Sequence, residues 1–259
     1  MPRKPTVSVI IPTHNDAEYL SESLASVVDQ TFDEWEMWVI DDGSCQEMAN
    51  RVDAVIAHYQ MLGYEIQIIR HSQPKGAAAA RNSGIEAATG QYIAFLDADD
   101  AWLPQKLEIQ ISFMRENNVA FSFSSYEKIK KTPQGLMSAG VVQAPEYLSY
   151  STLLKGCVIG CLTVIYDAHI LGKRYMPNLP CSQDYALWLS ILREQRVGHG
   201  VPQTLSRYTV RKGSLSANKW RKIKYHWWIC RRLEKLSLLT SLQSLVLVTV
   251  HSLVKRYSH

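Results

Sequence analysis

Val7-Ser8-Val9-Ile10-Ile11-Pro12-Thr13-His14-Asn15 is almost wholly apolar for five residues and turns polar behind a proline. An apolar run of that length with no polar alternation suits a strand covered on both faces, as in a parallel sheet. Glu36–Ile40 repeats the pattern and is closed by Asp41-Asp42-Gly43-Ser44. Between the two, Leu20, Leu24, Val27 and Val28 share one helical face behind Asp16, a candidate N-cap. Ser44 and Glu47 have capping-box spacing ahead of a second helix that carries Met48, Val52, Val55, Ile56 and Tyr59. Ile66–Ile69 follows as a third strand, Ala77–Ala88 as a third helix and Tyr92–Leu96 as a fourth strand; Pro104 then opens a helix through Leu107, Ile111 and Met114. This alternation predicts an α/β chain with a doubly wound, mostly parallel sheet. Ligands of such sheets bind beyond the carboxyl ends of the strands, so Thr13–Asn15, Asp41–Ser44 and Asp97–Asp100 are expected to meet in one cleft.

The 259 residues suffice for one large domain with an appendage, and 46% hydrophobic against 20% charged residues is a globular balance. A net charge of +4 is mild and gives no indication of nucleic-acid binding. Five cysteines without a C-x-x-C pair favour neither a disulfide framework nor a zinc ribbon, and read as buried small hydrophobes in a reduced compartment. The polar start, Met1 to Thr6, carries no secretory signal pattern, which points to the cytosol. Residues 119–215 show mixed patterning, with strands at Val119–Tyr126, Leu162–Tyr166 and Leu205–Val210 and a helix at Tyr185–Glu194. The expected organisation is a domain over 1–215, whose 1–118 half binds nucleotide and whose 119–215 half faces a second substrate, followed by a helical tail over 216–259.

Asp97-Ala98-Asp99-Asp100 sets three carboxylates at a strand end. They repel one another unless a cation is present, and Mg2+ or Mn2+ takes one or two carboxylates and fills its shell with phosphate oxygens and water. Standing alone, the tetrad would better suit a solvated acidic turn capping the next helix. It stands with Val7–Asn15, Ile40–Ser44, Gly76 and Ala80-Arg81-Asn82, and with Ala101-Trp102, in that order. Together these segments resemble the GT-A-fold inverting glycosyltransferases called family 2, over residues 6 to 215. Trp102, Pro104, Lys106-Leu107-Glu108 and Gln110 add a likeness to bacterial transferases that build O-antigen, capsule or teichuronic-type polysaccharide.

The resemblance implies a hexosyltransferase that uses a nucleotide-sugar donor with Mn2+ or Mg2+ at Asp97 and Asp99. Pro12, Thr13, Asn15, Asp41, Ala98 and Trp102 are implied in donor binding, with Asp42 accepting a hydrogen bond from the base. A carboxylate only accepts, which suits the N3–H of uracil and hence a UDP-sugar. Arg81 is the basic residue of the donor site, able to pair with Asp42 or Asp97 or to approach the diphosphate. Ser182-Gln183-Asp184-Tyr185-Ala186-Leu187-Trp188 resembles the family's Glu-Asp-Tyr-x-Leu-Trp segment, which makes Asp184 the general base and leaves Gln183 where the family has Glu. Tyr208–Ser216 resembles the closing segment, with Arg211 in place of a common histidine; Arg211 or Lys212 could neutralise the departing diphosphate.

From Lys219 to Lys235, basic residues alternate with Trp220, Tyr225, Trp227 and Trp228, and the apolar stretch Leu236–Val254 carries a stripe of Ser237, Ser241, Ser244, His251 and Lys255. Two arrangements satisfy this pattern: an interfacial helix on the inner, anionic leaflet of the plasma membrane, where a polyprenyl-linked acceptor lies, or a helix packed on the catalytic domain or in a homodimer. The sequence favours the first and argues against a spanning helix. A non-catalytic nucleotide-sugar-binding module is the rival function, opposed by the presence of every carboxylate the chemistry needs. A nucleotidyltransferase or a Rossmann oxidoreductase requires glycines after the first strand, where this chain has Thr13-His14-Asn15-Asp16.

Overall fold

The computed structural model describes residues 5–211 and 219–257, with 219 and 251–257 as backbone only. The four expected strands form as β1 (Val7–Thr13), β2 (Trp35–Asp41), β3 (Ile66–Arg70) and β4 (Tyr92–Phe95), and β1, β2, β3 and β4 pair in parallel in the order 3-2-1-4. The sheet then continues through β9 (Ile165–Asp167), β6 (Phe121–Thr132), β10 (Val197–Thr209) and the short β5 (Ala101–Trp102). Strand β9 runs antiparallel to β4 and β6, while β10 runs parallel to β6. Strands β7 (Gly135–Val142) and β8 (Tyr147–Ser149) add to β6 and β10. The result is one ten-stranded, mixed sheet shared by both halves of the chain.

Alternate residues of each buried strand feed two cores. Val7, Val9 and Ile11 join helices α1 (Ala17–Val28), α2 (Gln46–Met61) and α4 (Lys106–Glu116) on one face. Ile10, Ile40, Phe95 and Phe121 join α3 (Ala77–Ala87) and α7 (Gln183–Gln195) on the other. Trp188, fully buried, lies at 6.0 Å from Phe95 and 5.5 Å from Phe121 by ring centroids and so ties the second half of the sheet to the first. Gly84 is needed here, since a Cβ would stand 2.6 Å from Ile10 Cγ2 and 2.8 Å from Ile40 Cδ1.

Several local expectations fail where tertiary partners outcompete local ones. Asp16 precedes α1 without a capping hydrogen bond, because its carboxylate binds Arg211. The capping box at Ser44 does not form: α2 starts at Gln46, and Ser44 Oγ instead accepts from the Asn15 amide at 2.9 Å. Pro104 sits in the turn before α4 rather than in its first turn. All five cysteines are free, but Cys45 and Cys157 are exposed, contrary to the expectation of burial.

The chain ends in α8 (Lys219–Trp228), a π-helical turn (Ile229–Leu233) and α9 (Leu238–Tyr257). The proposed boundary at 215/216 and Lys212 fall outside the described residues. Two residues of the polar stripe face the protein: Ser241 and Ser244 of α9 are buried, and Ser244 Oγ donates to Leu154 O at 2.6 Å, whereas Ser237 is exposed and the side chains of His251 and Lys255 lie outside the described ones. Glu234, between the turn and α9, receives Arg193 of α7 at 2.7 Å and the Tyr150 hydroxyl at 2.6 Å. The tail is thus packed on the domain as well as patterned for an interface. No helix among the described residues is long and apolar enough to cross a membrane.

Candidate active site

A cleft of about 2280 Å³ runs from the ends of β1 and β4, past the start of α7, to α8. Single small-molecule sites occupy roughly 300–1,000 Å³, so there is room for two substrates. Pro12, Thr13, Asp42, Arg81, the Asp97–Asp100 tetrad, Asp184 and Arg211 all line it, as the strand-end argument requires.

The tetrad follows β4 and its carboxylates are held apart by cations. Asp97 pairs with the buried Arg81, whose guanidinium is held firmly protonated by that contact despite its burial. Asp99 Oδ2 meets Arg211 Nε at 2.7 Å, and Arg211 also grips both oxygens of Asp16, at 2.9 and 3.2 Å, with its guanidinium 4.4 Å from the Tyr19 ring centroid. Burial and the charge of Asp97 raise the pKa of Asp99 against the pull of Arg211. Asp100 is raised further by burial and its two neighbours, and its Oδ1 accepts from the Thr209 amide at 2.8 Å, which fixes the end of β10 over the site.

No cluster of three or more ligating side chains is found among the described residues. Two carboxylates of the tetrad nevertheless fit a hard divalent ion: Asp97 and Asp99 both face the cleft, and among the described residues the ion pairs of the tetrad's three carboxylates come from two arginines, Arg81 on Asp97 and Arg211 on Asp99. Carboxylates in that number suffice where phosphate oxygens complete the shell.

The Asp41–Ser44 turn divides its carboxylates between two tasks. Asp41, fully buried, is not at the cleft wall; its oxygens take the Ser44 amide at 3.0 Å and Arg70 Nε at 2.9 Å, so it braces the turn against β3. Asp42 does line the cleft and accepts from His71 Nδ1 at 2.6 Å and from the Lys75 and Gly76 amides at 2.9 and 2.7 Å. Burial raises its pKa, but these donors outweigh it and hold the carboxyl below its usual range. Three of roughly four acceptor positions on the carboxylate are thereby used and one remains. Gly43 makes the turn possible: its φ is +66°, and a Cβ would stand 2.4 Å from the Gln73 carbonyl carbon. His71 was not singled out in the sequence, although its place just after β3 matches that of the other strand-end polar residues.

Asn15, at φ 56°, is also not a wall residue; its Oδ1 accepts from the Cys45 amide and links the loops after β1 and β2. Trp102 is buried behind the cleft, where its Nε1 donates to Leu162 O at 2.8 Å. These two and Asp41 therefore shape the site without lining it. Thr13 Oγ1, by contrast, is a buried hydroxyl at the wall with no partner among the described residues.

Asp184 stands across the cleft in the first turn of α7, behind Ser182 in the left-handed region (φ 59°). The helix begins at Gln183, so Asp184 is inside it and does not cap it. Burial raises its pKa, opposed by Arg81, by the Tyr185 amide and by Lys222. A carboxylate with raised proton affinity, at a helix N-terminus and separate from the tetrad, is equipped to take a proton from a bound hydroxyl. Arg81 feels both Asp97 and Asp184 and so lies between the two functions.

The family model described as "Glycosyl transferase family 2" matches residues 8–160. The chain is 36% identical over 253 residues to a Bacillus subtilis protein named putative teichuronic acid biosynthesis glycosyltransferase TuaG, covering 98% of each. It is 37% identical over 222 residues to the Escherichia coli UDP-Glc:alpha-D-GlcNAc-diphosphoundecaprenol beta-1,3-glucosyltransferase WfgD, covering 85% of this chain and 83% of that protein. Among solved structures, S. aureus TarS 1–349 with UDP-GlcNAc superposes at a TM-score of 0.66 with 18% identity, over 88% of this chain and 67% of that one. The mannosyltransferase PcManGT from Pyrobaculum calidifontis, with GDP-Man and Mn2+, gives a TM-score of 0.69 with 17% identity, over 94% and 70%. The GT-A fold is common to these neighbours and this chain.

Proposed function

The chain belongs to glycosyl transferase family 2, and we propose that within it the reaction is inverting transfer of a hexose from a UDP-sugar to a saccharide or polyprenyl-diphosphate-linked acceptor in bacterial surface polysaccharide synthesis. The observation that carries this reading is the pairing, in one cleft, of a phosphate-side set (Arg81, Asp97, Asp99, Arg211) with a separate carboxylate, Asp184, of raised pKa. A site that only held a nucleotide sugar would have no use for the second.

Asp42, with its remaining acceptor position, binds the N3–H of uracil, and the unpartnered Thr13 hydroxyl completes the nucleoside wall. Asp97 and Asp99 would hold Mn2+ or Mg2+. Neutralisation of the charge on the departing diphosphate is what such an ion supplies. Arg211 contributes in the same sense, since the guanidinium already lies over the tetrad. Asp184 accepts the acceptor hydroxyl's proton as its oxygen bonds to the anomeric carbon; the bond from that carbon to the diphosphate oxygen breaks on the opposite face. From an α-linked donor the product is β-linked. Support for UDP and for a lipid-linked acceptor comes from the E. coli glucosyltransferase, 37% identical to this chain.

The same reading puts the enzyme on the cytoplasmic face of the plasma membrane. Leu238, Leu239, Leu242, Val246 and Val250 of α9 are 47–67% exposed, and Trp220 of α8 is 82% exposed. Arg221, Lys224 and Arg232 are exposed in the same segment, and its one acid, Glu234, is matched by Arg193. An apolar face beside exposed cations fits an anionic leaflet, each cation near such a surface contributing about 1 kcal/mol.

Purified protein incubated with UDP-glucose, Mn2+ and a GlcNAc-diphospholipid should form a disaccharide lipid, with the new linkage β by NMR. Turnover in EDTA equal to that with metal, or a retained anomeric configuration, would overturn the mechanism.

A further inference from the structure

The cleft does not end at Asp184. Beyond the base it is walled by Tyr185 of α7 and by Trp220, Lys222, Ile223 and His226 of α8, which the transfer step itself does not require. The Tyr185 hydroxyl and Gln183 Oε1 are buried there without hydrogen-bond partners among the described residues, and their residues are only 6% and 7% exposed. A buried polar group left unpaired is costly, so two of them lining one cleft indicate a ligand that supplies the partners. Lys222 adds a charge. It is exposed on α8 at the cleft wall, and its field reaches Asp184.

The ring packed against Tyr185 carries no charge. The His226 ring lies 5.3 Å from that of Tyr185, and its Nε2 is hydrogen-bonded to Ser244 Oγ at 2.8 Å; burial holds its pKa down to about 4, so the imidazole is neutral. The donor occupies the tetrad side of Asp184, so the body of the acceptor has to extend along the Tyr185–Lys222 side. A neutral saccharide would serve Gln183 and Tyr185 but leave the ammonium unmatched. A phosphate takes both the Tyr185 O–H and the ammonium, and charge-assisted bonds of that kind are the strong ones.

We propose that Tyr185 and Lys222 bind a phosphate group of the acceptor while Gln183 Oε1 receives a hydroxyl of its sugar, so that this enzyme selects a sugar phosphate or diphosphate over a neutral saccharide. This deepens the proposed transfer reaction and rests on it. The shared chemistry is the phosphate, whether it belongs to a lipid-linked diphosphate or to a free sugar phosphate.

The test uses the full chain and three acceptors with one sugar: GlcNAc joined through a diphosphate to a long alkyl chain, GlcNAc 1-phosphate, and the octyl glycoside of GlcNAc. Lys222→Ala should raise KM for the phosphorylated acceptors about ten-fold more than for the glycoside, as expected for one lost charge-assisted contact, and Lys222→Arg should recover most of that loss. Tyr185→Phe keeps the ring against His226 and should shift KM in the same direction. An effect confined to the alkyl diphosphate assigns the lipid-linked source, and one equal on both phosphates assigns the phosphate alone. Equal losses on all three acceptors, or none on the phosphorylated pair, would overturn the proposal. Absence of transfer by the wild-type protein to every acceptor would instead sink the transfer reaction. In that case calorimetry with GlcNAc 1-phosphate still decides the subsite, through weaker binding by Lys222→Ala or its absence.

Discussion

Replacing Lys106 by methionine tests how the back of the cleft is built. Lys106 opens α4 and is fully buried; its Nζ donates to Gln110 Oε1 at 2.6 Å and to Thr163 O at 3.2 Å, and lies 5.1 Å from the Trp102 ring centroid. Trp102 in turn holds Leu162, a cleft residue. Burial pushes the Lys106 pKa from 10.5 down to about 7. A depression of that size amounts to ~5 kcal/mol. Between those two values the unfolded chain holds the proton and the folded chain does not, so stability rises with pH across the window. The penalty is complete below about pH 7 and absent above pH 10.5. Methionine removes it but leaves Gln110 Oε1 without a donor, a loss of ~1–3 kcal/mol. Lys106→Met should therefore be more stable than wild type by ~2–4 kcal/mol near pH 6 and less stable by ~1–3 kcal/mol near pH 10.5. Urea unfolding of both proteins across this range measures the difference, in which other titrating groups cancel to first order. A difference that does not change with pH would refute the argument.

Asp184→Asn should lower kcat by roughly 10²–10⁴-fold with UDP affinity nearly unchanged. In the wild type the acid limb of kcat/KM should lie above the ~3.9 of an ordinary aspartate, because burial raises the Asp184 pKa and the base is lost as pH falls through it; a limb at the ordinary value counts against Asp184. Asp42→Ala should weaken UDP binding by calorimetry and also cost ~1–3 kcal/mol of stability, since the Lys75 and Gly76 amides lose their acceptor. GDP binding more tightly than UDP would show the base assignment to be wrong. Serine at Leu239, Leu242 and Val246 together should reduce sedimentation with anionic vesicles while leaving transfer to a water-soluble acceptor intact, and equal sedimentation would remove the membrane from the account.

The sheet and its helices were legible from local pattern alone, because β1, β4 and the end of β2 are covered on both faces and such strands have to be continuous apolar runs, while β3, at the sheet edge and largely exposed, was short enough to follow from the alternation. The strand-end rule then brought Thr13, Asp42 and the Asp97–Asp100 tetrad together without any knowledge of contacts. The later strands were less legible: β10 begins at Val197, within a polar stretch, because it is paired on both sides by β6 and β8 and its register is set by partners far away in sequence. Caps failed for the same reason, since Asp16 and Ser44 find stronger partners in Arg211 and Asn15 than in their own helices.

What the sequence determined by itself was therefore the family, the layering and the set of carboxylates, all carried by residue type and short-range spacing. Only the tertiary structure decided what each carboxylate faces. Asp41 and Asp42 are neighbours in a strand-end turn, yet one is turned toward Arg70 and the other toward the cleft. In α9 Ser241 and Ser244 face inward while Leu238, Leu239 and Leu242 face outward, the reverse of an ordinary surface helix. The physical reason is common to both cases: the direction of a side chain at a strand end or on a helix is set by what the opposing element offers it, here Arg70 in β3 and the Leu154 carbonyl after the Tyr150–Leu153 helical turn, and those partners lie far off along the chain.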